Sequence, residues 1–363
     1  MSAAVQFYVT SLAILFGINL IAIWGLDLQY GVTGIYNFAY IAFQAAGAYA
    51  DAVLATHHAG SYYAGETYIL GLSLPFPIPL MGAAVVGGLL AVPVLYIAVR
   101  RLRGDYQAMA MLVLSLVATA FVEAQLGFLN GPTGISFIPK PLSTVIFSSS
   151  PLGYQWTYLL FIAVVTLAIF WFVWAIVTSP FGRVLRAVRD SETAAAALGR
   201  DAHRARAVIF VVGGAIAGLS GGLLVQYVSA WAPGSWLYPE TFLFLTAIVV
   251  GGTGNLAGNA LGTLLIPIGV VEGTRFLPQI GYPGLIDSLD WVVIGLVLLA
   301  FLWFRPKGLI PERRTSWVRF VPARRRTLGE VLLGRPAPPL AEIGPPGHGA
   351  LMPPPVLVPG RQP

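Results

Sequence analysis

The sequence predicts an all-α, polytopic membrane protein with eight to ten transmembrane helices, some of them short or broken. Three observations lead there. Of its 363 residues, 57% are hydrophobic and only 10% charged, whereas a soluble domain carries roughly 25% charged residues, so a water-soluble fold of this size could not cover its surface. The apolar residues come in blocks close to the ~20 residues a helix needs to cross hydrocarbon, separated by short polar or Gly/Pro breaks. Most of the Lys and Arg lie between those blocks in three clusters, Arg100 to Arg103, Arg183 to Arg206 and Arg305 to Arg326. Placed there, they read as orientation signals, and the net charge of +6 does not imply a nucleic-acid partner.

Nine blocks are counted in chain order. The first, Val5 to Leu26, is uninterrupted, and no basic stretch in Met1 to Thr10 precedes it, so no cleavable signal peptide is expected. The second, Ile35 to Ala55, is apolar but carries Asn37, Tyr40 and Gln44. The third and fourth, Ile78 to Val99 and Ala108 to Leu129, flank the first basic cluster, and the fifth, Tyr158 to Val177, leads into the second. The sixth, Ala207 to Val228, places Gly214, Gly218 and Gly222 at small-xxx-small spacing, with Gly213, Ala217 and Gly221 beside them, a pattern for close helix packing more than pore lining. The seventh, Tyr238 to Val250, is too short for a comfortable crossing and ends in Gly251, Gly252, Thr253, Gly254 and Asn255. It and the eighth, Leu256 to Val271, therefore read as broken or re-entrant helices, which are tolerated only inside protein or beside water. The ninth is Leu289 to Phe304.

Placing the basic clusters in the cytoplasm makes the loops alternate correctly and leaves the N-terminus outside. The loop from Thr56 to Pro77 then carries no Lys or Arg, and that from Asn130 to Trp156 only Lys140. The chain divides into a transmembrane domain over 1–304, with a charged cytoplasmic loop at about 180–206, and a tail over 305–363. That tail is basic first and Pro/Gly-rich later, with little to bury, so its end is expected to be disordered; the basic part suits anionic lipid or a partner.

Several chemistries are excluded or weakly supported. With no Cys, thiol catalysis, disulfides and Cys metal sites are ruled out. The four His are His57, His58, His203 and His348, all in loops or the tail, so neither a metal site nor a catalytic triad can be argued and no enzyme is expected. A P-loop requires a Lys after Gly to cradle phosphates, yet neither Lys140 nor Lys307 follows a Gly, so this chain is not an ATPase. Ionisable residues near spans are functional candidates because burying them is costly. Glu123, Glu272, Asp51, Asp287 and Asp290 fall toward the outer helix ends, where water or a docking protein could meet them; none marks a midplane proton relay.

The most informative polar segment runs from Pro180 to Arg206. Val184, Leu185 and Val188 recur at helical spacing, Arg183, Arg186 and Arg189 supply charge, Asp190 and Ser191 can cap a second helix, and Gly199 can end it. Glu192 suits that second helix's N-terminus, and the run containing Ala195 and Ala196 offers a narrow face able to enter a groove on another protein. A helical hairpin is expected, with an amphipathic interfacial loop as the plainer alternative.

Gly182 to Gly199 (GRVLRAVRDSETAAAALG) resembles the cytoplasmic coupling loop of branched-chain amino-acid ABC importer permeases. Leu102 to Ala108 and Asn37 to Tyr49 are similar to segments of the LivM-type subunit, and Val250 to Gly258 and Phe304 to Leu309 to segments of both permease types. The likeness covers roughly residues 20 to 310 in the expected order. It departs where Tyr40 replaces a frequent His and Gln44 a small or aromatic residue, which bears on substrate preference.

The resemblance implies an importer permease in the bacterial inner membrane that pairs with a second homologous permease, two cytoplasmic ATPases and an extracytoplasmic solute-binding protein. ATP and Mg would sit on the ATPases, and this chain would bind no cofactor. It further implies ATPase coupling through Arg183, Arg186, Arg189, Asp190, Glu192, Ala195, Ala196 and Gly199. A substrate pathway is expected past Asn37, Tyr40, Gln44 and Gly47 and the break at Gly251, Gly252, Thr253 and Gly254. Branched-chain amino acids are the first expectation for cargo; urea, short amides and aromatic acids occur in the same family. A secondary transporter or channel is the more distant alternative, favoured only by the broken seventh block.

Overall fold

A computed structural model describes residues 3–57, 69–99, 102, 104–142, 150–274 and 285–312. The helices, in order, are α1 (Ala3–Asp27), α2 (Tyr40–Ala55), α3 (Ile78–Val94), α4 (Gly104–Ala124), the single turn α5 (Leu126–Leu129), α6 (Pro151–Thr178), α7 (Pro180–Asp190), α8 (Glu192–Ala197), α9 (Ala202–Val228), α10 (Pro239–Gly251), α11 (Leu256–Thr263), the short α12 (Val271–Thr274) and α13 (Leu285–Phe304). No strand occurs among the described residues.

Each of the nine predicted apolar blocks falls on this helical series. Six helical stretches among the described residues are long and apolar enough to cross a membrane: Ala3–Val32, Ile78–Ile97, Gly104–Ala124, Pro151–Thr178, Ala202–Val228 and Leu256–Thr274. The shorter apolar elements are α2, α10 and the Leu289–Phe304 part of α13. With 13 residues, α10 spans only about 20 Å at 1.5 Å per residue, against a hydrocarbon core about 30 Å thick.

Proline explains two irregularities. Pro267 lacks an N–H and would clash with the carbonyl four residues back, and the stretch Leu264–Val270 between α11 and α12 is a π-helical turn. Pro93 stands just before a second π-helical turn, Leu95–Val99.

The centre of the molecule is α9 packed against α2 and α3 through glycines, as the small-residue spacing predicts. A Cβ on Gly47 would overlap the Gly218 backbone, standing 2.6 Å from its carbonyl carbon, and one on Gly214 would stand 2.8 Å from Ala91 Cβ. Backbones this close gain dispersion contacts that lipid, as apolar as Leu, does not replace. On the far side of α1, α6 is held to α9 by the buried Tyr158, whose hydroxyl donates to the Leu223 carbonyl at 2.6 Å.

Hydrogen bonds between distant segments define two faces. On one, Trp24 donates to the Leu256 carbonyl at 3.1 Å, Arg186 to the Val177 carbonyl at 3.0 Å and Arg189 to the Gly31 carbonyl, so the ends of α1 and α6, the hairpin and the start of α11 lie together. On the other, Ile135 and Trp231 exchange backbone bonds of 2.9 and 2.8 Å, and Ser73 donates to Thr56 at 3.0 Å. Arg183 to Arg206 thus lies on the first face. Arg100, Arg101 and Arg103, His58, Arg275, the Asp287 side chain and the tail from 313 onward lie outside the described residues.

Two of the outer carboxylates depart from expectation. Asp51 is fully buried, enclosed by α3 and α9, and accepts from Gln226 Nε2 at 2.8 Å, while Glu272 is also buried. Neither is open to water or a docking protein, because the helix ends that carry them are wrapped by neighbours. Glu123 is exposed as expected.

Candidate functional site

The segment after α6 forms the expected helical hairpin. Ser179 caps α7 by accepting from Gly182 N at 3.2 Å, and Leu185 and Val188 are buried beneath it. Ser191 caps α8 by accepting from Ala194 N at 3.3 Å, so of the two capping candidates the serine does the work; Asp190 is exposed and lies 3.5 Å from Arg189 Nε. Glu192 pairs with Arg206 at 2.9 Å, tying α8 back to α9. Gly199, at φ +74°, ends the hairpin: its N–H reaches Ala196 O at 2.9 Å, and Arg200 N reaches Ala195 O at 3.1 Å. That αL ending suits a residue without Cβ.

The hairpin has two sides. Ala195 is buried against Val188 and Ala202. Ala194, Ala196, Ala197 and Leu198 are exposed, with Leu198 81% accessible, and Arg183 is exposed as well. This leaves an apolar knob beside positive charge on a charged face.

Arg186 and Arg189 point the other way, into the protein. Both grip Glu312: Arg186 Nε lies 2.9 Å from one carboxylate oxygen, and Arg189 Nη2 donates to the other at 2.8 Å. Arg189 also donates to the Gly31 carbonyl. Burial lowers the Arg189 pKa, but the hydrogen bond and charge of Glu312 outweigh it and hold the guanidinium above its ordinary value.

Glu312 lies in the stretch 305–312, which doubles back after α13 along the end of α10. Leu309 N donates to Val250 O at 2.8 Å, Ile310 N to Gly251 O at 3.0 Å, and Asn255 Nδ2 to the Ile310 and Pro311 carbonyls at 3.3 and 3.2 Å. The two Gly-containing segments singled out in the sequence, Val250 to Gly258 and Phe304 to Leu309, are therefore paired with each other. Gly252 adopts φ +121°, open only to glycine, and Thr253 is half-buried beside it. Asn255 caps α11 by accepting from Ala257 N and Gly258 N at 3.1 and 3.2 Å, and Asp27 at the end of α1 accepts from Gly254 N at 2.9 Å.

The remaining predicted pathway residues are enclosed. Asn37 is fully buried, donates to Gln29 Oε1 at 2.7 Å and caps Ala39 N at 3.1 Å; Gln29 in turn donates to Phe210 O at 2.9 Å. Asn37 is thus tied through Gln29 to the backbone of α9. Tyr40 is fully buried with its hydroxyl beside Gly25 and Ile216, and Gln44 lies beneath Gly221. Neither the Tyr40 hydroxyl nor Gln44 Oε1 has a protein partner, while Gly47 is a packing contact with α9.

Sequence reasoning missed Asp27, Gln29 and Glu312. The signal for Glu312 was a lone acid opening the basic run Arg313, Arg314, and for Asp27 a carboxylate closing an apolar block. Among the described residues, no group of His, Cys, Asp or Glu could hold a metal ion.

A multi-helix membrane body, glycine-packed at its centre and carrying a charged hairpin on one face, defines a multi-pass membrane transport protein. The family model described as branched-chain amino acid transport system / permease component matches residues 8–302, and the chain belongs to that family. It is 29% identical over 313 residues to the high-affinity branched-chain amino acid transport system permease protein LivM of Escherichia coli K12, covering 80% of this chain and 67% of that protein. It is 28% identical over 325 residues to the probable LivM permease of Methanocaldococcus jannaschii, covering 82% of this chain and 92% of that one, and 28% identical to the permease protein BraD of Pseudomonas aeruginosa, covering 80% and 90%. No solved structure matches the chain.

Proposed function

We propose that the chain is the LivM-type membrane subunit of a branched-chain amino acid ABC importer in the bacterial inner membrane. It would form the pathway with a second, homologous permease, receive solute from an extracytoplasmic binding protein, and be driven by two cytoplasmic ATPase subunits that hold ATP and Mg. The observation that carries this reading is the α7–α8 hairpin, whose Ala194, Ala196, Ala197 and Leu198 form an exposed knob beside the exposed Arg183. A short apolar knob flanked by charge fits a groove on a partner protein, which is how a chain without a P-loop motif could receive work from ATP. The Arg residues of the hairpin support a cytoplasmic location for it, by the excess of positive charge on cytoplasmic loops. In this reading residues 1–304 are the permease domain, and the composition of the basic start of the 305–363 tail suits anionic lipid headgroups.

The test is uptake of labelled leucine and labelled urea in cells expressing the whole system, comparing wild type with Glu192→Arg and Gly199→Pro. Glu192→Arg breaks the bond to Arg206, and Gly199→Pro removes both the N–H to Ala196 and the φ of +74°. Leucine uptake lost in both, with normal amounts of protein in the membrane, supports the reading. Unchanged uptake removes the coupling role, and uptake of urea alone moves the chain to the amide branch of the family.

A further inference from the structure

The α7–α8 hairpin reaches the α10–α11 break through the Arg189 side chain and through the segment that follows α13. Glu312 stands between the two. Its carboxylate takes Arg186 and Arg189 of α7, and two residues before it the chain is hydrogen-bonded to the last turn of α10. A Cβ on Gly254 would lie 3.3 Å from Glu312 Cδ and 3.6 Å from Arg189 Nη1, so hairpin, segment and break meet at van der Waals distance.

We infer that Glu312 is a force-transmitting positioning residue: the 305–312 segment is a strap through which movement of the α7–α8 hairpin is delivered to the α10–α11 break. The inference rests on the proposed ATP-driven reading and deepens it by naming the connecting part. The carboxylate is hydrogen-bonded to Arg189 and stands at ion-pair distance from Arg186, and a charge-assisted bond of the first kind is short and roughly twice as strong as a neutral one. The Glu312 side chain is only 16% accessible, so salt screens it less than an exposed pair. At the other end, the strap is secured by backbone bonds to Val250 and Gly251 and by Asn255, so it cannot slide along α10 without breaking them. A second route exists, from Arg189 to Gly31 and from Asp27 to Gly254, but it passes through α1. The route through Glu312 is the one that reaches the last turn of α10 by way of the strap.

The experiment uses the complete transporter, this chain with its partner subunits, in proteoliposomes, and reads leucine taken up per ATP hydrolysed. Glu312→Gln keeps the shape but removes the charge; ATP hydrolysis is expected to continue while uptake per ATP falls on the order of tenfold, the scale of a typical coupling free energy. A residue with a purely structural role would lower both rates together and leave the ratio unchanged. Because the chain has no Cys, Glu312→Cys with Arg186→Cys, made in cysteine-free partners, supplies a second measurement. The pair is expected to be uncoupled when reduced and to recover its ratio when joined by a short bifunctional thiol reagent. A wild-type ratio in Glu312→Gln, or no recovery on cross-linking, overturns the inference; a wild type whose uptake ignores ATP overturns the proposed function instead.

Discussion

Gly252→Ala is the substitution that most directly probes how the strap and the broken helix are joined. Gly252 follows the last turn of α10 at φ +121°, ψ 115°, and an L side chain held in such a region costs about 1–3 kcal/mol. The added Cβ would also collide with the Ile310 carbonyl oxygen and stand 3.0 Å from its carbonyl carbon, both backbone atoms that cannot swing aside. Relief requires the strap to lift, which breaks the bonds from Leu309 N to Val250 O and from Ile310 N to Gly251 O. At roughly 1 kcal/mol net for each hydrogen bond, the total loss comes to about 3–5 kcal/mol. That is a large share of the ~5–15 kcal/mol by which folded proteins are stable. The assay is the fraction of purified protein still monodisperse after graded heating in detergent, with Gly295→Ala as the control. Gly295 lies inside α13 with open space around it, so its substitution is expected to be neutral or to add about 0.5–1 kcal/mol. Equal stability of the two variants would refute the close approach of strap and break.

At the α2–α9 crossing, Gly221→Val is expected to prevent folding or assembly, since even a Cβ there would overlap the Gln44 carbonyl; membrane-inserted, monodisperse protein by fluorescence-detected gel filtration is the readout. Asp51→Leu strands Gln226 Nε2 in a buried site and should cost about 1–3 kcal/mol, while Asp51→Asn, which can still accept that bond, should cost less; comparing their heat-inactivation midpoints separates the two. Ser191→Ala removes the cap of α8 and should weaken the hairpin by about 1 kcal/mol, visible as faster amide exchange over Glu192–Ala197 with no change in α9. Tyr158→Phe deletes the donor to Leu223 O and should lower thermal stability without altering membrane insertion.

The helical blocks were legible because their signal is local: a run of apolar residues of the right length needs no knowledge of its neighbours. The hairpin was legible for the same reason, since Ser191, the alanine run and Gly199 encode capping, narrowness and termination within nine residues of one another. What the sequence could not reveal were pairings across it. Arg183, Arg186 and Arg189 read as one charged series, yet the first is exposed while the other two turn inward to an acid 123 residues away from Arg189. Asp27 and Gly254 are 227 residues apart, and nothing in either segment names the other. Asp51 was placed by its position along one helix, whereas its burial is decided by α3 and α9, which wrap the end of α2. The φ of Gly252 belongs to the same class: a glycine run announces a break but not which backbone will press against it.

These two kinds of contact divide the molecule mechanically. Where α9 meets α2 and α3, backbones touch through glycine, and any sliding would drive a backbone into its neighbour; such packing is bistable at most and here admits one register. At the junction of α7, the strap and the α10–α11 break, the contacts are side-chain ion pairs and a few backbone bonds. Those links can turn with the side chains that make them and carry the strap along, a freedom that backbones in direct contact lack. Movement is therefore expected at the junction, with the glycine-packed centre as the fixed frame against which it works. A short α10 ending in Gly251 and Gly252 is what such a frame requires, since an unbroken helix across the membrane could not bend at the point where the strap takes hold.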